Sequence, residues 1–209
     1  NVWKKRFERQ VKKRAIATRD EQVYFLIVCE GEKTEPNYFK ALEKELPMGT
    51  VEIKIDGTGR NTISLVEYTI KQRDKASRKY DRVWAVFDKN SFSENDFNGA
   101  IIKGFSNQIN CAWTNEAFEL WFLLHFQYRN TGMKRDEYKK CFEQETQNKS
   151  GDKEYKYKKN DPNTYSLLKK YGNQEQAIKW AKQLQQTFPD ERYATHNPCT
   201  RVHELIEEL

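Results

Sequence analysis

The stretch Val23-Tyr24-Phe25-Leu26-Ile27-Val28-Cys29 is almost wholly apolar and stops abruptly at Glu30-Gly31-Glu32-Lys33-Thr34-Glu35-Pro36. A run this short, rich in β-branched and aromatic residues, predicts a strand covered on both faces, as inner strands of parallel sheets are. Gly31 lets the backbone turn, and Pro36 suits the first turn of a helix, where its missing N–H costs nothing. The acids therefore fall at the carboxyl end of an inner strand, where open α/β sheets receive their ligands. Val83-Trp84-Ala85-Val86-Phe87 followed by Asp88-Lys89-Asn90 repeats the pattern. Two such strands, each ending in an acid, point to an α/β chain.

The remaining elements follow in order. Helices are expected over 36–46, 62–75 and 94–106, and strands over 51–55 and 109–113. The 51–55 strand alternates apolar and polar residues and reads as a half-exposed edge. Gly57-Thr58-Gly59-Arg60-Asn61 reads as a turn and is too short for a nucleotide-binding fingerprint. Asn115 can cap a helix over 116–126, which Phe118, Leu120, Trp121, Phe122, Leu123, Leu124 and Phe126 leave apolar nearly all round. Such a helix is buried. Glu119 and His125 interrupt it, the histidine reading as a packed core residue.

After Arg129 the composition shifts. Tyr138, Cys141 and Phe142 suggest a short amphipathic helix. A polar loop over 148–160 carries Lys149, Lys153, Lys156, Lys158 and Lys159 among Tyr155 and Tyr157. Helices are expected over 162–171 and 174–187, and Asn197-Pro198 is expected to open a last one. The division is a basic arm over 1–20 and a single domain over 21–209, with a mostly parallel sheet of about four strands and a helical second half.

The net charge of +6 favours a polyanionic partner, nucleic acid first. Residues 1–20 concentrate lysine and arginine around Trp3, Phe7 and Val11 at helical spacing. Four cysteines without a C-x-x-C pair read as reduced thiols of a cytoplasmic protein. No run approaches the length of a membrane span, and the basic N-terminus lacks the apolar segment of a secretory signal.

The chemistry lies in the acids. Glu30, Asp88 and Glu119 come from three elements and suit a hard cation, Mg²⁺ or Mn²⁺, which needs oxygen ligands. Such an ion orients water and stabilises charge on a phosphodiester. Glu32 and Glu35 read as first-turn acids favoured by the helix dipole. Lys33 is placed to meet a phosphate. With it, Arg60, Lys89, Lys153, Lys156 and Lys158 are the candidate nucleic-acid contacts, the loop lysines by charge and their aromatic neighbours by stacking. No Ser–His–Asp or Cys–His arrangement is apparent.

Four segments together closely resemble the motifs of RloB-like proteins. They are Phe25 through Phe39, Val83 through Asp88, Phe118 through Phe126 and Asn197 through His203, and they cover most of 23–209 in the family's order. The resemblance implies a Toprim-like, Rossmann-like α/β fold. It also implies a prokaryotic setting near restriction or phage-defence genes and an AAA-type ATPase partner (RloA-like). Toprim sites hold Mg²⁺ with a glutamate after the first strand and an Asp-x-Asp after a later one. Glu30 and Asp88 match these positions, and Asn90 stands where the second aspartate would. An amide oxygen still ligates a hard cation but brings no charge, and Glu119 is then a candidate to supply the missing carboxylate. Two functions lead: a Mg²⁺-dependent nuclease with Glu30, Asp88, Glu119 and Lys33 as its catalytic set, or a non-catalytic nucleic-acid-binding or regulatory subunit that keeps the scaffold; nucleotidyl transfer or other phosphoryl chemistry is the remaining alternative.

Overall fold

The apolar runs fold as their patterns require. A computed structural model describes residues 22–55, 62–90 and 92–209. The basic arm over 1–20 and the turn that carries Arg60 lie outside these residues. Strand β1 (Phe25–Cys29) is buried at all five positions. Strand β3 (Arg82–Asp88) is buried from its second residue onward. With β2 (Val51–Ile55) and β4 (Asn110–Asn115) they form a parallel sheet, which a two-residue antiparallel strand, β5 (Cys199–Thr200), extends; the order is β2-β1-β3-β4-β5. β2 lies at the edge, as its alternation predicts.

Alternation divides the core into two layers. Phe25, Ile27, Cys29, Trp84, Val86 and Ala112 face one cluster, and Leu26, Val28, Ala85, Phe87 and Trp113 face the other. The second face is covered by α2 (Thr62–Lys75) and α3 (Glu94–Ser106), through Leu65, Val66, Phe97 and Ala100. Both helices have the bounds expected from sequence. Ser93 caps α3 by accepting a hydrogen bond from the Asp96 amide at 3.1 Å.

The first face carries α1 (Thr34–Glu43), α4 (Glu119–Leu124), α5 (Arg135–Ser150), α6 (Thr164–Tyr171), α7 (Gln174–Gln186) and α8 (Val202–Glu208). This is the expected helical second half. The architecture among the described residues is a five-stranded, mostly parallel α/β sheet.

Four sequence expectations change. The all-apolar helix is shorter than 116–126. Its ends tighten into i,i+3 bonds, from the Leu120 amide to the Ala117 carbonyl and from the His125 amide to the Phe122 carbonyl. Asn115 does not cap it; Asn115 closes β4, and its side-chain amide donates to the Ala194 carbonyl at 2.9 Å. Helix α5 is long, at 16 residues, rather than short; it buries only a thin stripe of Tyr138, Phe142 and Thr146, so its polar sequence carries little sign of its extent. Pro198 does not open the last helix. The next two residues pair with the carboxyl end of β4, the Thr114 and Thr200 hydroxyls lying 2.8 Å apart, and α8 starts at Val202.

Candidate functional site

The connection of β1 runs out to β2 on one side, while β3 flanks β1 on the other, so the sheet changes direction between β1 and β3. Crevices at such switch points, beyond the carboxyl ends of the strands, are the ligand sites of open α/β sheets. Here the two ends are locked together: Cys29 pairs with Val86, and the Glu30 amide donates to the Val86 carbonyl at 2.9 Å.

Asp88 is the last residue of β3. By alternation it shares the face of Trp84 and Val86, under α1, α4 and α5. It is 7% exposed. Glu119, the first residue of α4, is 1% exposed and accepts a hydrogen bond from the Tyr157 hydroxyl at 3.2 Å. The third buried acid is Glu35, at 5% exposure in the first turn of α1. Its carboxylate lies against Gly31, where a Cβ would meet Glu35 Oε2 at 2.1 Å. A side chain at position 31 would force the Glu35 carboxylate to shift. Glu30 stands half-buried at the end of β1.

The three buried acids act on one another. Burial, then the charges of Asp88 and Glu119, push the Glu35 carboxyl up to about 8, against the pull of its own backbone and Lys159. Burial pushes Asp88 up to about 6, with Glu119 adding to the shift and Arg135 and Lys159 opposing it. Burial and the neighbouring Glu119 also raise the Tyr157 phenol. Arg135, the first residue of α5, donates to Asp88 Oδ2 at 2.7 Å. Burial disfavours its charge, but Asp88, Glu119 and Glu35 together hold the guanidinium above its ordinary value. The pair is incomplete. Asp88 Oδ1 and Arg135 Nε are buried without a well-formed hydrogen bond, the Phe118 backbone giving Asp88 only a weak favourable interaction.

A family model described as RloB-like protein matches residues 25–209. The chain belongs to the RloB-like family. No curated protein and no solved structure matches it.

In this RloB-like chain one of the three buried acids, Glu35, lines a cleft of about 560 Å³, together with Gly31, Glu32, Lys33, Thr34, Lys159 and Asn160. Lys33 is exposed at its edge. The loop after α5 closes its other side: Thr34 Oγ1 donates to the Lys159 carbonyl at 2.9 Å, and the Asn37 side chain to the Asn160 carbonyl at 3.3 Å. This is the lysine-rich segment of the sequence. Lys153 reaches Asn148 at 3.3 Å, Lys156 pairs with Glu143 at 3.1 Å, and Lys158 is exposed.

Lys89 is half-buried, with its ammonium on the Phe92 carbonyl. Asn90 is exposed, with a left-handed φ of 43° and its amide bonded to the Glu116 carbonyl at 3.2 Å. Asparagine tolerates that conformation, so Asn90 has a backbone role in this turn.

Among the described residues, no three His, Cys, Asp or Glu side chains form a ready-made metal-ligand set. The chemistry of the donors nonetheless suits a hard cation. Asp88, Glu119 and Glu35 offer only oxygens, and one of them, Asp88 Oδ1, is buried without a well-formed hydrogen bond.

The strand-end rule found Asp88, and the all-apolar helix found Glu119. Sequence reasoning missed Glu35, Arg135, Tyr157 and Lys159. Nothing in the sequence sets Glu35 apart from an ordinary first-turn acid; the structure does, by covering Thr34, Glu35 and Pro36 although they open a helix.

Proposed function

We propose that this RloB-like protein is a Mg²⁺-dependent, Toprim-type nuclease that hydrolyses phosphodiester bonds of DNA or RNA in a prokaryotic defence system. The observation that carries this reading is a set of buried, mutually repelling carboxylates at the sheet's switch point, beside a cleft edged by Lys33 and Lys159. Carboxylates that raise one another's proton affinity call for a cation. Asp88, Glu119 and Glu35 would hold it, with Glu30 at the adjoining strand end. Bound there, the ion supplies an activated water and charge stabilisation on the phosphate oxygens. Lys33 meets the substrate phosphate as a point charge. An unregulated nuclease would damage its host, which supports gating by a partner, an AAA-type ATPase in this reading. No helix among the described residues is long and apolar enough to cross a membrane.

One observation favours a second reading, a non-catalytic nucleic-acid-binding or regulatory subunit. Asn90 is committed to a turn and brings no charge to the site.

The deciding experiment incubates wild type, Asp88→Ala and Glu30→Ala with mixed DNA and RNA in Mg²⁺ or Mn²⁺. Metal-dependent cleavage by wild type and its loss in Asp88→Ala, with thermal unfolding retained, is the expected result. Cleavage unchanged in both variants would overturn the site assignment. Nucleic-acid binding without metal binding would favour the subunit reading.

A further inference from the structure

Arg135 is an unusual partner for Asp88. A permanent structural pair between arginine and a carboxylate is commonly bidentate, two parallel N–H···O bonds that satisfy both groups. Here a single bond joins Arg135 to Asp88 Oδ2, and both Arg135 Nε and Asp88 Oδ1 are left buried without a well-formed hydrogen bond. The guanidinium serves the whole acid cluster, since Asp88, Glu119 and Glu35 all act on it. Its side chain retains 20% exposure, against 9% for Asp88, so it reaches the cluster from the solvent side.

Charge sharpens the point. Asp88 and Glu119 already exceed the single charge of Arg135, while burial and these neighbours favour the protonated form of Glu35; the second nearby cation, Lys159, sits on an exposed segment. A divalent cation balances the cluster better. It would also repel a guanidinium held on the same aspartate.

We infer that Arg135 is the resident cation of this site, and that a divalent ion and the Arg135 guanidinium are alternative occupants at Asp88. The inference rests on the proposed metal-dependent reading. When the ion binds, Asp88 gives up its bond to Arg135, and the guanidinium is released toward the cleft edged by Lys33 and Lys159. There its planar donors suit the oxygens of a phosphodiester. The same residue thus balances charge in the empty site and offers a cation to the substrate in the loaded one.

The test is Mn²⁺ titration by calorimetry into the full chain, as wild type, Arg135→Met, Arg135→Gln and Lys179→Met. Thermal unfolding with and without Mn²⁺ runs in parallel. Removing the competing charge should tighten Mn²⁺ binding about tenfold or more in both Arg135 variants. Mn²⁺ should also raise their melting temperatures by more than it raises that of wild type. Lys179, exposed on α7, controls for net charge and should leave affinity unchanged. Arg135→Gln keeps an amide donor for Asp88, and the comparison is read on it if the methionine variant does not fold. If wild type binds Mn²⁺ and the Arg135 variants bind no tighter, Arg135 is not a competitor and the metal reading survives without this inference. If Lys179→Met tightens binding equally, the effect is global and the inference fails. If no protein binds Mn²⁺, the metal reading and the inference fall together.

Discussion

Glu35 pulls the fold and the site in opposite directions. Its carboxyl is pushed up to about 8 by burial and by the charges of Asp88 and Glu119. An unfolded glutamate titrates near 4.3. The folded chain therefore holds a proton that the unfolded chain has lost between those values. Stability from this group is complete below the unfolded pKa and is withdrawn as pH rises through about 8. Glu35→Gln keeps the shape and cannot lose the proton. The variant should gain on wild type as pH rises from 5 to 8.5, by on the order of 4 kcal/mol at most, in urea unfolding without added metal. A gap that does not change with pH would show that Glu35 is not the strained group. A buried carboxyl that is costly to ionise, with Gly31 leaving space beside it, has the perturbed proton affinity common at binding sites.

At the scale of elements, α4 is the rigid floor of the site. Its six residues are all buried, and it presents Glu119 at one end and runs into His125 at the other. His125 Nδ1 lies 2.9 Å from the Trp121 carbonyl, and the ring stands edge-on to Trp121 at 4.8 Å. Burial lowers the imidazole to about 4, against the favourable pull of that carbonyl. The sign is opposite to that of Glu35: stability is present above the unfolded value near 6.5 and is lost as pH falls through about 4. Between pH 7 and pH 4.5 wild type should lose roughly 2–3 kcal/mol through this residue, and His125→Gln should remove that pH dependence. Equal acid sensitivity in the two proteins would place the loss elsewhere. Elements of this kind were legible because their signals are local. The apolar runs gave β1, β3 and the burial of α4, and helical patterning gave α2 and α3. The two-residue β5 was not legible, since nothing in Cys199-Thr200 marks pairing with residues of β4 far back in the chain. The length of α5 was hidden by its polarity. The site divides the same way. Asp88 and Glu119 stand out within their own segments, whereas Glu35 and Arg135 look like an ordinary first-turn acid and a surface cation until tertiary structure sets them beside Asp88.

For the molecule as a whole, the two limbs combine. Acid charges His125 and alkali ionises Glu35, so the metal-free protein should be most stable at mildly acidic to neutral pH. A cation in the acid cluster would relieve only the alkaline limb. The same cluster is roofed by the loop between α5 and α6, whose Tyr157 packs edge-on against Phe142 at 5.1 Å and bonds to Glu119. Its backbone is pinned to α1 by Thr34 and Asn37, while Lys153 and Lys158 point their charge at solvent-exposed positions and Lys156 holds only an exposed pair with Glu143. Nothing in the packing needs these three charges, and surface pairs of this kind add little stability. If they serve a phosphate backbone crossing the cleft, the triple change of Lys153, Lys156 and Lys158 to Gln should leave thermal unfolding near wild type. It should also flatten the plot of log affinity against log salt for a short duplex by about two to three units, close to one per lost phosphate contact. An unchanged slope would move the nucleic-acid track away from this loop and toward the basic residues 1–20. A lowered slope with cleavage chemistry intact would separate the residues that hold the backbone from the acids that act on it.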